Sequence, residues 1–193
     1  MRLGPAVCSV LAATLVASWS AGAAGNRDRT YRASCGDSVY QSPPQTPPPT
    51  DEALRLGPVV FNHLAPADDV YRANRPHPYY QVPSFFNVLT SAPRGVTITV
   101  GDRTGRLALI YGNVASKPLG FLTRLGNGRA TLADGTRTVS FPLCHDPTSK
   151  GPLITQYGFS ILLDAPGCFT IRVQPIGRRR RYAGTVRVLV PRC

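Results

Sequence analysis

Residues 157–174 read YGFSILLDAPGCFTIRVQ. From Phe169 to Val173 every second residue is apolar and the residues between are polar. That period of two is typical of a β-strand with one buried and one solvated face. Between this run and the apolar run at 157–163, Pro166 and Gly167 occupy the two central positions of a type II turn. The stretch therefore predicts two strands joined by a tight turn.

Similar strand-like runs recur from Gly57 to the C-terminus, at residues 57–63, 81–90, 96–100, 106–111, 117–125, 136–143 and 184–190. Turn signals rich in Gly, Pro, Asn and Asp separate them, as at 93–95, 102–105, 127–128 and 134–135. Eight or nine short strands at this spacing, without a convincing helical stretch, predict an all-β fold, an antiparallel β-sandwich. We expect Phe85 and Phe86 to straddle a sheet, and residues 64–80 to form a long loop.

The composition agrees with a turn-rich single domain. Of 193 residues, 42% are hydrophobic and 17% are charged, and there are 19 Pro and 18 Gly. Such a composition excludes helical bundles and coiled coils. The formal net charge is +12, and all cationic side chains except Lys117 and Lys150 are arginines.

The N-terminus has the pattern of a secretory signal peptide. Arg2 precedes an apolar run at 3–19 and small residues at 20–24, and we expect cleavage after Ala23, with Ala24 as the alternative. An uncleaved anchor helix is disfavoured because the run contains Pro5 and is shorter than the ~20 residues that span a bilayer. We therefore predict a secreted or cell-wall-associated protein with a signal peptide (1–23), a Pro-rich N-terminal segment (24–56) and a β-sandwich domain (57–193).

Cleavage leaves four cysteines: Cys35, Cys144, Cys168 and Cys193. An even number in an exported chain predicts two disulfides. A metal site is disfavoured because no two of them have the close spacing of zinc ligands. Three pairings are possible. A turn places Cys168 at the start of one predicted strand and Cys144 ends another, so turn chemistry favours Cys144–Cys168 and leaves Cys35–Cys193.

A strand ending in Cys144, a strand with Gly158-Phe159, and the turn Pro166-Gly167-Cys168 follow one another within residues 138–171. In this order, and in the early Cys35-Gly36, the chain resembles a group of uncharacterised secreted actinobacterial proteins. The resemblance implies export and a Cys144–Cys168 bond, and it implies no activity. The Pro-rich insert, Cys193 and an arginine run depart from the group, so the resemblance does not support a bond through Cys193.

Few residues point to catalysis or cofactor binding. The histidines His63, His77 and His145 lie in separate parts of the chain without metal-ligand spacing. His145 adjoins Cys144, but a disulfide at Cys144 removes the thiolate that nucleophilic catalysis needs. We therefore expect a non-enzymatic protein with no cofactor and no metal.

An alternative is a secreted carbohydrate-active hydrolase that uses a pair of turn carboxylates. Its candidate aspartates are Asp68, Asp69, Asp102, Asp134 and Asp164. Asp is common in turns for backbone reasons alone, so this pattern does not by itself indicate catalysis.

The strongest charge feature is the run Arg178–Arg181, between the predicted strands 169–174 and 184–190. Four adjacent cations must lie in water, at a hairpin tip. Arg binds phosphate and carboxylate through paired hydrogen bonds, so the run is either an anion clamp or a solvated loop. We take Arg178, Arg179, Arg180 and Arg181 as anion-binding candidates for an anionic envelope polymer or extracellular partner. A structural or protein-binding module is a further alternative, and we expect no specific nucleic-acid binding.

Overall fold

The computed structural model describes residues 30–42, 54–62, 64, 71–72, 80–101, 107–111, 135–148 and 151–193. This part of the chain contains twelve β-strands and a 3-10 turn at Cys35–Asp37. The strands are β1 (Thr30–Arg32), β2 (Tyr40–Ser42), β3 (Leu54–Leu56), β4 (Val59–Asn62), β5 (Tyr71–Arg72), β6 (Tyr80–Val88), β7 (Val96–Gly101), β8 (Leu107–Tyr111), β9 (Thr138–Phe141), β10 (Ile154–Leu163), β11 (Gly167–Pro175) and β12 (Tyr182–Val188).

The strands form two sheets. The five-stranded sheet has the order β1-β9-β7-β11-β12. The seven-stranded sheet has the order β2-β10-β6-β4-β3, with β5 paired to β6 and β8 paired to β10. β2 and β8 pair with successive parts of β10, at residues 154–156 and 159–163. The strand pairs are antiparallel except β1 with β9, which is parallel.

A single hydrophobic core lies between the sheets, which confirms the predicted all-β sandwich. In β7 alternate residues enter it, since residues 96, 98 and 100 are buried and those between are half-buried. Phe86 is at its aromatic centre, with ring centroids 4.7 Å from Phe141 and 5.4 Å from Phe159. Phe86 is 0% exposed and its neighbour Phe85 is 43% exposed, so the two rings straddle the sheet as predicted.

The sandwich begins earlier in the chain than the sequence pattern indicates. Residues 24–56 were predicted to lie outside it, yet they supply β1, β2 and β3. Residues 64–80 were predicted as a loop and contain β5. Each of these strands has two or three residues, too few to display a period of two. The predicted strand at 117–125 and the signal peptide at 1–23 lie outside the described residues.

All four predicted cysteines form disulfides, but the predicted pairing is wrong. The bonds are Cys35–Cys144 and Cys168–Cys193, each with a Cα–Cα distance of 5.7 Å. β9 and β11 both pair antiparallel with β7 and so run in the same direction. The end of β9 and the start of β11 therefore lie at opposite ends of the sheet, which keeps Cys144 away from Cys168.

The same strand directions explain the observed bonds. β1 runs parallel to β9, so Cys35 and Cys144, which follow these two strands, meet at one end of the sheet. β12 runs antiparallel to β11, so the chain returns to Cys168 and brings Cys193 beside it. Two disulfides indicate an extracellular or otherwise oxidising environment. In the described part of the chain, no helix has the length and hydropathy of a membrane span.

Candidate functional site

The arginine run lies in the hairpin loop between β11 and β12, as predicted. Residues 178–181 are all exposed. The loop contains Gly177, whose φ of 78° lies in the left-handed region that glycine adopts without strain. The backbone N–H of Arg178 donates to the carbonyl oxygen of Pro175 at 3.0 Å, which closes the turn. The chain therefore presents four adjacent guanidinium groups to solvent.

Side-chain contacts hold this loop in place. The Gln174 amide donates through Nε2 to the carbonyl oxygen of Arg178 at 2.9 Å, and its Oε1 accepts from Nε of Arg181 at 3.2 Å. The guanidinium carbon of Arg180 lies 5.0 Å from the ring centroid of Tyr182. A cation over an aromatic face is favourable by about 0.5–1 kcal/mol at an exposed site. Two of the four arginines are thus positioned by neighbouring side chains.

Tyr182 anchors the loop to the opposite sheet. It is half-buried and packs against the core. Its ring lies so close to Gly57 that a Cβ atom there would collide with it. Gly57 also has a φ of 62°. Only glycine satisfies both conditions, so the turn between β3 and β4 is shaped to receive Tyr182.

Three turns meet at this end of the sandwich. The N–H of Ile176 donates to the carbonyl oxygen of Gly95 at 3.0 Å, joining the β11–β12 loop to the β6–β7 turn. The N–H of Leu89 donates to the carbonyl oxygen of Pro58 at 2.9 Å, joining that turn to the β3–β4 turn. The three turns therefore form one continuous surface.

Two further arginines belong to this surface. Nη1 of Arg94 lies 3.2 Å from the position that a Cβ atom at Gly177 would take. Nε of Arg55 lies 3.5 Å from the carbonyl oxygen of Gly57. Both arginines are exposed. We call Arg55, Arg94 and Arg178–Arg181 together the basic end.

Sequence reasoning did not single out Arg55 or Arg94. Each stands alone in its segment, and what joins them to the run is the meeting of the turns. A weak signal is that each lies one or two residues before a turn glycine, Gly57 or Gly95. Turn glycines are too common for that signal to identify a site.

The basic end concentrates positive charge. Five of its guanidinium groups come from two of these turns, and the sixth comes from Arg55 of β3, beside the third turn. The three turns contain no acidic residue. The carboxylate side chains in the described part of the chain belong to Asp37, Asp146 and Asp164, which lie in other segments. Clustered charges of one sign produce a local potential that attracts and orients an anionic partner.

The remaining sequence candidates do not assemble into a site within the described residues. His145 is exposed, and its neighbour Cys144 is bonded to Cys35. Asp164 lies in the turn between β10 and β11. The other candidates lie outside the described residues: His63, His77, Asp68, Asp69, Asp102 and Asp134. Where the structure describes the chain, it contains no group of three His, Cys, Asp or Glu that could hold a metal ion.

Comparisons with protein-family models, curated proteins and solved structures give no match to this chain. The resemblance to secreted actinobacterial proteins therefore stays a prediction.

Proposed function

We propose that this is an exported, non-enzymatic protein that binds an anionic polymer of the cell envelope or extracellular space through the basic end. The observation that carries the proposal is that six arginines lie together where three turns are joined by hydrogen bonds. The alternative for the arginine run was a solvated loop. A solvated loop does not require two more arginines beside it, nor supports that hold it in one conformation.

The order of the loop favours binding. In the free protein Gln174 already restricts the Arg181 guanidinium and the Arg178 backbone, and Tyr182 restricts the Arg180 guanidinium. Part of the entropic cost of ordering these guanidinium groups is therefore already met in the free protein, before a ligand binds. Preorganisation of this kind raises affinity without additional contacts.

A polymer fits this surface better than a small anion. Neighbouring guanidinium groups repel one another, and a chain of regularly spaced negative charges offsets that repulsion at several points at once. Arginine also forms paired hydrogen bonds with sulfate-, phosphate- or carboxylate-like groups. Binding of a polyelectrolyte releases its condensed counterions, so affinity falls steeply with salt.

The experiment uses the secreted, oxidised protein and two polymers, dextran sulfate and inorganic polyphosphate. Affinities are measured by titration from low to physiological salt. Replacing Arg178–Arg181 together with serine should weaken binding to both polymers by at least about tenfold and reduce the slope of log affinity against log salt. The matched control replaces the same four residues with lysine, which keeps the charge and should retain most of the affinity.

The thermal midpoint of each variant establishes that the sandwich is intact. Unchanged affinity and unchanged salt slope in the folded serine variant would contradict the proposed function. Equal loss in the serine and lysine variants would show that arginine geometry, rather than charge, is the determinant.

A further inference from the structure

The outward face of the five-stranded sheet has an unusual composition. Its residues alternate with the buried ones of each strand. They are Thr30 and Arg32 of β1, Thr138 and Ser140 of β9, Thr97, Thr99 and Gly101 of β7, Cys168, Thr170, Arg172 and Gln174 of β11, and Ala183, Thr185 and Arg187 of β12. We call this surface the hydroxyl face. Hydroxyl side chains occupy about half of its positions, and its charged residues are arginines.

The hydroxyl face lacks three classes of side chain. Among its residues, all of which the structure describes, none is acidic, aromatic or large and aliphatic. Three large hydrophobic side chains that are exposed, Val39, Phe85 and Leu189, lie outside this face. Val39 and Phe85 lie over Gly158 of the seven-stranded sheet, and Leu189 follows β12. The face is therefore mainly polar, and its charged residues are all positive.

A block of four hydroxyls lies at the centre of this face. The Thr97 and Ser140 hydroxyl oxygens are 2.9 Å apart, and those of Thr99 and Thr138 are 3.2 Å apart. Each pair has two O–H groups, and the bond within the pair uses one. The other O–H and the remaining lone pairs can bond to a ligand. Positions two apart on a strand are about 7 Å apart, so the two pairs form a regular array.

Arginines flank the hydroxyl block on both sides. Arg172 lies opposite Thr99 in the register of β11 with β7. Its Nη1 is 3.2 Å from the position that a Cβ atom at Gly101 would take. The guanidinium therefore lies over the one position of β7 that has no side chain. On the other side, Arg32 of β1 lies opposite Ser140.

The hydroxyl face is continuous with the basic end. Gln174 belongs to the face, and its side chain bonds to the Arg178 carbonyl and the Arg181 guanidinium. Five strands at a spacing of about 4.8 Å make the face ~19 Å wide. A linear ligand can therefore contact the basic end and the hydroxyl block at the same time.

We propose that the hydroxyl face recognises the sugar units of a linear acidic polysaccharide whose negative charges the basic end attracts. This inference rests on the proposed function and adds the chemical class of the polymer. The paired Thr and Ser hydroxyls can exchange hydrogen bonds with sugar hydroxyls, and Arg172 and Arg32 can bind the acidic substituents between them.

Two other polyanionic partners fit the face less well. Single-stranded nucleic acid is held by aromatic side chains on which its bases stack, and a membrane surface is held by large apolar side chains that enter the lipid. The hydroxyl face has neither kind of residue.

The test compares two polymers, dextran sulfate, which has sugar units, and inorganic polyphosphate, which has none. The variant T97V/T99V removes two hydroxyls and keeps the shape and the β-branched character of the side chains. It should weaken dextran sulfate binding about five- to tenfold, since two hydrogen bonds are lost, and change polyphosphate affinity less than twofold. The matched control Thr148→Val removes an exposed hydroxyl from the β9–β10 connection and should leave both affinities unchanged.

A second pair of variants distinguishes the loss of a ligand contact from a disturbance of the sheet. Arg172→Gln removes one charge from the face, and Arg192→Gln removes one exposed charge outside the strands. The first should weaken dextran sulfate binding several-fold more than the second. The thermal midpoint reports whether each variant is folded.

The outcomes separate the two proposals. Selective loss of dextran sulfate binding in T97V/T99V supports sugar recognition. No loss, equal loss for both polymers, or binding to polyphosphate alone overturns the inference, and the last result favours nucleic acid or another phosphate polymer. In those cases the proposed function still stands if serine at residues 178–181 weakens binding, and it fails if that variant binds normally.

Discussion

The hydroxyl oxygen of Tyr157 lies 3.6 Å from the sulfur of Cys144. The same hydroxyl donates a 2.8 Å hydrogen bond to the carbonyl oxygen of Pro142. The ring is fully buried and packs against Phe86 and Phe141. One side chain thus connects the Cys35–Cys144 disulfide to the aromatic core and ties the segment after β9 to β10.

Removing that hydroxyl should destabilise the protein. Tyr157→Phe keeps the ring and leaves the carbonyl of the half-buried Pro142 without this donor. We expect the free energy of unfolding to fall by about 1–2 kcal/mol, measured by urea denaturation at neutral pH with the disulfides intact. An unchanged urea midpoint would mean that the hydroxyl makes no net contribution to stability.

The same tyrosine should make stability pH-dependent at alkaline pH. Burial raises the pKa of Tyr157 well above its ordinary value, and the nearby Asp37 charge raises it further. The unfolded chain therefore loses this proton at a lower pH than the folded protein. The contribution of Tyr157 to stability should be constant below about pH 10, the ordinary tyrosine value, and fall above it.

Tyr157→Phe should reduce this alkaline loss without abolishing it. Burial, and then Asp37, also raise the pKa of Tyr31, so a second tyrosine acts in the same direction. Urea midpoints between pH 8 and 11 measure the slope for the two proteins. An equally steep alkaline decline in the Phe variant would exclude Tyr157 as a source.

The two disulfides should differ in their response to reductant. Cys193 is exposed and Cys168 is half-buried, whereas Cys144 is 1% exposed. Exchange requires that a thiolate reach a sulfur atom, so a mild reductant should open Cys168–Cys193 first. Partial reduction, alkylation and peptide mapping identify the labelled cysteines, and mapping without reductant checks both pairings.

Replacing both cysteines of a disulfide with serine should lower the free energy of unfolding, by a different amount for each of the two bonds. The bonds join residues 25 and 109 apart in the chain. The chain-entropy relation gives upper values of about 3.5 kcal/mol for Cys168–Cys193 and about 5 kcal/mol for Cys35–Cys144. Denaturation of the two double-serine variants measures the difference. A larger loss for C168S/C193S would contradict the expected order.

The fold could be predicted where strands are long enough to show their period. The alternation at residues 96–100 and 169–174 identifies β7 and β11 because each has one face in the core. β1, β2, β3 and β5 have two or three residues and escape such a pattern. The disulfide pairing depends on whether strands run in the same or opposite directions, which is a property of sheet order and not of local turn chemistry.

The site could be predicted only in part, for a similar reason. A run of four arginines between two strands must lie in water, so its position at a hairpin tip followed from charge alone. Arg94 and Arg55 lie beside this run because three turns that are distant in the sequence contact one another. The hydroxyl face likewise depends on register, since Thr97 and Ser140 become neighbours only when β7 and β9 pair.

The last prediction concerns Gly57, which lies against the ring of Tyr182. A Cβ atom at Gly57 would collide with the Tyr182 ring, and a non-glycine residue would be strained at a φ of 62°. Gly57→Ala should therefore lower the free energy of unfolding by at least about 1–3 kcal/mol. It should also displace the ring that holds Arg180 and weaken polymer binding several-fold, although no charge is removed.

A matched glycine serves as the control for this variant. A Cβ atom at Gly167, at the other end of the sandwich, would meet no atom within 4 Å. Gly167→Ala should therefore leave stability and dextran sulfate binding nearly unchanged. Thermal midpoints and titrations of the two variants at one salt concentration make the comparison. If Gly57→Ala loses stability but binds as the unmodified protein does, Tyr182 supports the fold and has no part in presenting the arginines.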